Sequence, residues 1–147
     1  MKITKILLAE HVVFHNLFDH IEKSVPKLKT LAEIKSLADT LEVLLRAHSK
    51  TEDELFIEPL EHCFEQIGHR KNFHDEHEEI DEALLGVRSA RQVKKARKLL
   101  LGAVSASRKH FDKEERIVFP MAERTLKAET LKALGDQWMK RREAALK

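Results

Sequence analysis

Two short stretches, "HSKTEDELF" from His48 and "HFDKEERIV" from His110, each place a Glu four residues after a His. On a helix, positions i and i+4 share one face, with Cβ atoms about 6 Å apart. His48 with Glu52, and His110 with Glu114, can each hold one metal ion, or the carboxylate can bridge two. Two such helices facing one another bring two imidazoles and two carboxylates together. His11 and His77, from two further helical segments, complete a set of four His and two Glu. Mixed imidazole and carboxylate donors suit iron, manganese or zinc rather than calcium or magnesium. Two bridging carboxylates suit a pair of ions a few ångström apart. Buried carboxylates without a partner are costly, so something cationic is expected between them.

Long helices must carry these residues, and the composition supplies them. The chain has 147 residues, 42% apolar and 35% charged, with only four Gly and three Pro. That mix suits amphipathic helices in one domain, residues 1–147, with a single core. The formal net charge of +2 is too small to imply a nucleic-acid partner. A lone Cys, Cys63, excludes an internal disulfide and fits a reducing cytoplasm. The N-terminal apolar run is cut by Glu10 and His11 and reads as no signal peptide. Nothing approaches the ~20 apolar residues of a membrane span.

The periodicity predicts four long helices. The first runs from about Thr4 to Ser24, before Pro26, with Leu7, His11, His15 and Phe18 on one face. The second opens at Thr30, where "TLAE" is a capping box with Glu33. It turns Leu37, Leu41, Leu44, Leu45, His48, Glu52 and Leu55 inward, kinks near Pro59, and has a tail ending at Gly68. The third, about Arg70 to Arg88, presents Phe73, His77, Ile80, Asp81 and Leu84. The fourth opens at Ser89 in "SARQ" and reaches about Phe119, with Ala103, Ser107, His110, Glu114, Ile117 and Met121 along one side. Short connections favour an all-α, up-down-up-down four-helix bundle over about 4–121. A short amphipathic C-terminal helix, about 125–145, covers one end with Leu131, Leu134 and Trp138.

The chain also repeats itself. "AEHVVF" in the first helix resembles "DEHEEI" in the third, and the two H-x-x-x-E units resemble each other. Two helical hairpins follow, each bringing one His and then a His-Glu pair. Pro59 lies one residue further from His48 than Pro120 lies from His110, so Glu58 reads as an insertion or local bulge. A ferritin-like reading fails, because no His has a Glu three residues before it. H-E-x-x-H is absent too, which removes a zincin.

Taken in order, "EHVVFHNLFDHI", "HSKTEDELF", "FHDEHEEID" and "HFDKEERIVFP" resemble the helix signatures of a hemerythrin-like (HHE) domain over roughly residues 5–121. The resemblance implies a non-haem centre of two iron ions, bridged by carboxylates and an oxo or hydroxo group. His11, His48, Glu52, His77, His110 and Glu114 match its ligand positions, with the two Glu as bridges. In the oxygen carriers of that family, one iron keeps an open position where O2 binds end-on. Those carriers have H-x-x-x-x-D in the fourth helix, where this chain has H-x-x-x-E, as in wider bacterial and regulatory members. They also have a His one turn before the third-helix ligand, where this chain has Phe73. His15, one turn after His11, is expected as a fifth imidazole ligand, the alternative being a partner that backs another ligand. His74 lies off the inward line from His77 and reads as a surface or packing His, the alternative being a ligand. His20, His62 and His69 read as solvated. The acidic residues beyond the bridging Glu, in "KTEDE" and "DKEER", read as exposed faces. Phe14, Phe18, Phe56, Phe111 and Phe119 read as core, and Cys63 as structural or idle.

The expected function is binding, storage or sensing of O2, or another diatomic such as NO, by a monomer or weak homodimer without nucleic-acid or membrane partners. A ligand-binding protein is favoured over an enzyme, in keeping with the absence of Tyr. The alternatives are a di-iron enzyme acting on peroxide or nitric oxide, an iron donor for cluster repair, and a non-catalytic metal store. A sensor would act through a separate partner.

Overall fold

Pro26 has no N–H to continue a helical ladder. Helix α1 (Ile3–Ser24) accordingly gives way to one 3-10 turn, Val25–Lys27. Thr30 then caps α2 (Leu31–Glu52), its hydroxyl accepting from the Glu33 amide at 3.2 Å. Helices α3 (Arg70–Ser89) and α4 (Val93–Lys113) form the second hairpin. A short α5 (Phe119–Thr125) and the C-terminal α6 (Ala128–Ala145) follow. The structure, a computed structural model, describes residues 1–61 and 70–146, with 70–74 described by backbone alone. The described residues are all-α, without a strand. Cys63, His62, His69 and Gly68 lie outside them, as do the side chains of Phe73 and His74.

Helix α3 lies along α4, α2 packs on both, and α1 packs on α4 and α6. The buried residues form two apolar clusters. One, around Phe14, Phe18, Leu41, Leu84 and Leu100, fills the bundle towards the short interhelical turns. The other, around Leu7, Phe56, Phe119, Leu131 and Trp138, lies beneath α6. All five Phe expected in the core are buried. Burial of each side chain of this size contributes ~1.5–3 kcal/mol. Among the described residues no helix is long and apolar enough to cross a membrane.

Several local expectations need correction. Ser89 does not open the fourth helix: its hydroxyl donates to the Leu85 carbonyl at 3.2 Å and closes α3, while Gln92, in extended backbone, precedes α4. Nor does Pro120 stop the fourth run. That run widens into a π turn, Glu114–Val118, and continues as α5 with Pro120 in its first turn, where the missing N–H is no loss. The second run does likewise, through a π turn at Asp53–Ile57 and a 3-10 turn at Glu58–Leu60. Both halves thus carry a π turn, a local bulge, which begins at Asp53 in one and Glu114 in the other, one residue later relative to its His in the first half. Past that turn the helical register shifts: Ile117 is exposed, whereas Val118 and Phe119 are buried. Leu44 and Asp81, at the margins of their stripes, face solvent, and the inward stripe of α2 includes Ile34, Ala38, Leu41 and Leu45.

Candidate metal centre

Between the apolar clusters lies a polar layer. Helix α1 brings His11, α2 brings His48 and Glu52, α3 brings His77, and α4 with its π turn brings His110 and Glu114. Five of these six are buried, and the His77 side chain is 20% exposed. They form two four-donor groups: His11, His48, Glu52 and Glu114, and Glu52, His77, His110 and Glu114. Within each group one donor atom per residue lies within 4.8 Å of all the others. Donors on one ion at about 2.1 Å are at most about 4.2 Å apart, so little contraction is needed. Both groups contain both carboxylates, the arrangement two bridged ions require. His48 Nε2 is 3.3 Å from Glu52 Oε2, and His11 Nε2 is 3.5 Å from Glu114 Oε2. His77 Nε2 and His110 Nε2 converge at 2.9 Å, and His110 Nε2 also touches Glu114 Oε1.

The fit to a metal pair shows in what the protein leaves unsatisfied. His11 Nε2, both ring nitrogens of His48, Glu52 Oε2 and both Glu114 oxygens are buried without a hydrogen-bond partner. Such atoms are rarely left so in a folded chain. Here they face one another, and imidazole with carboxylate is a donor set that iron accepts.

Each imidazole is also braced from behind. Glu115 Oε1 lies 3.3 Å from His11 Nδ1, Glu76 Oε2 2.7 Å from His110 Nδ1, and Glu10 Oε1 3.6 Å from His48 Nδ1. Asp53 Oδ2 approaches His77 Nδ1 at 4.0 Å. At His11 and His110 this hydrogen bond fixes the ring and its tautomer, so that Nε2 is the donor to a metal, whereas at His48 and His77 the carboxylate stands at ion-pair distance. The bracing follows the repeat. The Glu just before each lone His braces the other His of its own hairpin. The acidic residue just after Glu52 or Glu114 stands behind the lone His of the opposite hairpin. Asp53 and Glu115 were expected on exposed faces; both are partly buried and stand beside His77 and His11 of the opposite hairpin instead. The sequence signal for all four was the doubled Glu-His pair and the doubled acidic pair.

Charge in the metal-free layer is unequal. Burial pushes the His11 imidazole down to about 3, leaving it neutral. Burial would lower His48 as well, but the Glu10 and Glu52 carboxylates on either side of the ring overcome it and raise the pKa to about 10. His110 likewise rises to about 10 against its burial, through Glu114 and Glu76. Burial opposes ionisation of both shared carboxyls, Glu52 and Glu114. His48 holds Glu52 down to about 2, whereas burial and the Glu52 charge push Glu114 up to about 8. Two imidazoliums thus take the place a cation would occupy.

Aromatic rings wall the layer. Phe111 stacks on His11 with centroids 3.9 Å apart, and Phe119 lies 5.3 Å from the same ring. Phe14 and Trp138 meet the His48 ring edge-on at 5.3 and 5.8 Å. Among the described residues the layer meets solvent beside His77, at a cleft of about 490 Å³ lined also by Leu45, Ser49 and Asp53.

His15 joins neither donor group. Its Nε2 is 3.4 Å from Glu115 Oε1, its Nδ1 is 3.2 Å from the Arg108 guanidinium, and its side chain is 32% exposed. It meets the centre through Glu115, which braces His11. His20 is exposed.

A family model described as the hemerythrin HHE cation binding domain matches residues 2–122 and, in an overlapping second match, 68–140. No curated protein and no solved structure matches the chain.

Proposed function

The chain belongs to the hemerythrin HHE cation-binding family, and from that membership we propose that it is a non-haem di-iron protein binding O2, or another small diatomic such as NO, for binding, storage or sensing. The observation that carries this reading is the sharing of Glu52 and Glu114 between two four-donor groups. In it, His11 and His48 are terminal ligands of one iron, His77 and His110 of the other, and the two Glu bridge. His15 takes the supporting role, holding Glu115 against His11. Bound iron would supply reversible electron exchange with a diatomic ligand. The chain's own part is to hold the imidazoles through their Nδ1 braces and to exclude water with Phe14, Phe111, Phe119 and Trp138. His48 and His110 give up their Nε2 protons as metal enters. The cleft beside His77 is the entry route for a small ligand. The lone Cys63 is in keeping with a reducing, cytoplasmic setting.

Metal analysis with optical spectra, anaerobic and then aerobic, tests the reading. Two irons per chain are expected, with visible bands that appear with O2 and vanish on its removal. One zinc and no iron in the isolated protein would overturn it. Steady turnover of peroxide or nitric oxide would favour an enzyme over a carrier or sensor.

A further inference from the structure

The two hairpins differ in how their braces are themselves held. In the second, Lys113 Nζ donates to Glu76 Oε1 at 2.9 Å, and Glu76 braces His110. Lys113 lies three residues after His110. The matching position in the first hairpin, three residues after His48, is Thr51, which carries no charge. Glu10, the counterpart of Glu76, takes its cation from elsewhere: Arg142 of α6 donates to Glu10 Oε1 at 2.8 Å. The same guanidinium donates to the Thr51 hydroxyl at 3.3 Å, at the position where the second hairpin has its lysine. It also lies over the Trp138 ring, 4.8 Å from the centroid, and that ring meets His48 edge-on.

We propose that Arg142 is a positioning residue for the His11–His48 half of the centre. Helix α6 supplies from outside the bundle the cation that α4 supplies internally to the other half. The chain of contacts is Arg142 to Glu10 to His48, and it rests on the two-metal reading above. Metal affinity at the His11–His48 position then depends on the seating of α6, and affinity at the His77–His110 position does not. The two positions become inequivalent although their donor sets match. Seating of α6 and loading of the first position stabilise each other, because each favours the same orientation of His48.

Trp138 is the only Trp in the chain, so its emission reports on the first position. Chelated protein is titrated anaerobically with cobalt(II), following visible absorption for both positions and Trp138 emission for the first. Wild type takes two equivalents. Arg142→Met weakens one of them by roughly 10–100-fold, the usual effect of losing an outer support, and moves the emission midpoint with it. Lys113→Met weakens one equivalent in absorption and leaves the emission midpoint in place. Arg142→Lys keeps much of the wild-type midpoint. Adding Thr51→Lys to Arg142→Met restores it, because the lysine then stands where the second hairpin has its own. Melting of each metal-free variant confirms that it is folded. The Arg142–Glu10 pair is partly exposed, with side chains 31% and 26% accessible, so its loss spares the fold. An Arg142→Met midpoint within twofold of wild type overturns the inference. So does equal weakening of both equivalents without rescue by Thr51→Lys. A wild type that takes fewer than two equivalents overturns the two-metal reading, and this inference with it.

Discussion

Glu52 and Glu114 are equivalent by sequence and by donor group, yet their removal from the metal-free protein should have unequal cost. Glu52 is ionised, held down to about 2 from an ordinary 4.5 against its own burial by His48. Removing one partner of a buried ion pair of this kind costs about 3 kcal/mol at neutral pH. Its side chain is 1% exposed, so solvent screening does not reduce the figure. Glu52→Gln removes that charge and leaves the His48 imidazolium buried without its main counter-ion. In a chain this size the loss lowers Tm by roughly 6–12 °C. Glu114 is pushed up to about 8 and is mostly protonated at pH 7. Gln copies the neutral carboxyl in shape and keeps an oxygen to accept from His110. Glu114→Gln should therefore cost less than about 1 kcal/mol, or roughly 2–4 °C at most. The assay is thermal melting at pH 7 with metal chelated, repeated after loading. On the proposed two-metal reading both variants lose a shared carboxylate, and the rise in Tm on loading shrinks in both. Equal metal-free costs for the two variants would refute the reasoning, because the proton would then not reside on Glu114.

The metal-free protein should lose stability from pH ~6.5 towards ~10. His48 and His110 have folded pKa values of about 10, above their ordinary 6.5, so their contribution is complete below 6.5 and lost above it. The raised Glu114 acts in the same direction, and His11, lowered to about 3, opposes it only below 6.5. Metal affinity should rise over the same interval as protons leave the ligands; melts of chelated protein against pH, with parallel cobalt(II) titrations, check both, and a metal-free Tm that climbs from pH 6.5 to 9 contradicts the assignment. Gly135→Ala should cost ~1–3 kcal/mol, since a Cβ there would lie 2.0 Å from the Met1 carbonyl oxygen and 3.1 Å from the Ile3 amide. Urea melts would show it, and a neutral result would mean that the N-terminus does not pack against α6. Thr30→Ala should cost ~1 kcal/mol by removing the α2 cap without altering metal content, as melting and metal analysis would report.

The ligand layer was legible because i+4 pairs are a property of one helix. His48 with Glu52, and His110 with Glu114, need no tertiary information, and the Thr30 cap is equally local. The braces were harder to read because each joins different elements. Glu10 is one residue from His11 but serves His48, which no single-helix pattern shows. Asp53 and Glu115 were misread because the imidazoles they approach lie on the opposite hairpin, which no single-helix pattern shows. The π turn at Glu114–Val118 accounts for Ile117, placed inward by an unbroken 3.6-residue period and outward by the actual register. Arg142 carried no signal at all. Its role depends on where α6 lies and on a lysine that Thr51 replaces.

The pattern of braces has a further consequence. Glu10 and Glu76 act within a hairpin, whereas Asp53 and Glu115 reach across to the other. Each four-donor group likewise draws on both hairpins. Neither hairpin alone owns a finished ion position, so the centre is a seam between two half-molecules. What it recognises is the docking of a first hairpin with a second, whichever chain supplies each. Two chains that exchanged their second hairpins would build both centres with every contact intact. A concentrated, metal-loaded sample is therefore where a swapped dimer would lose nothing at the centre.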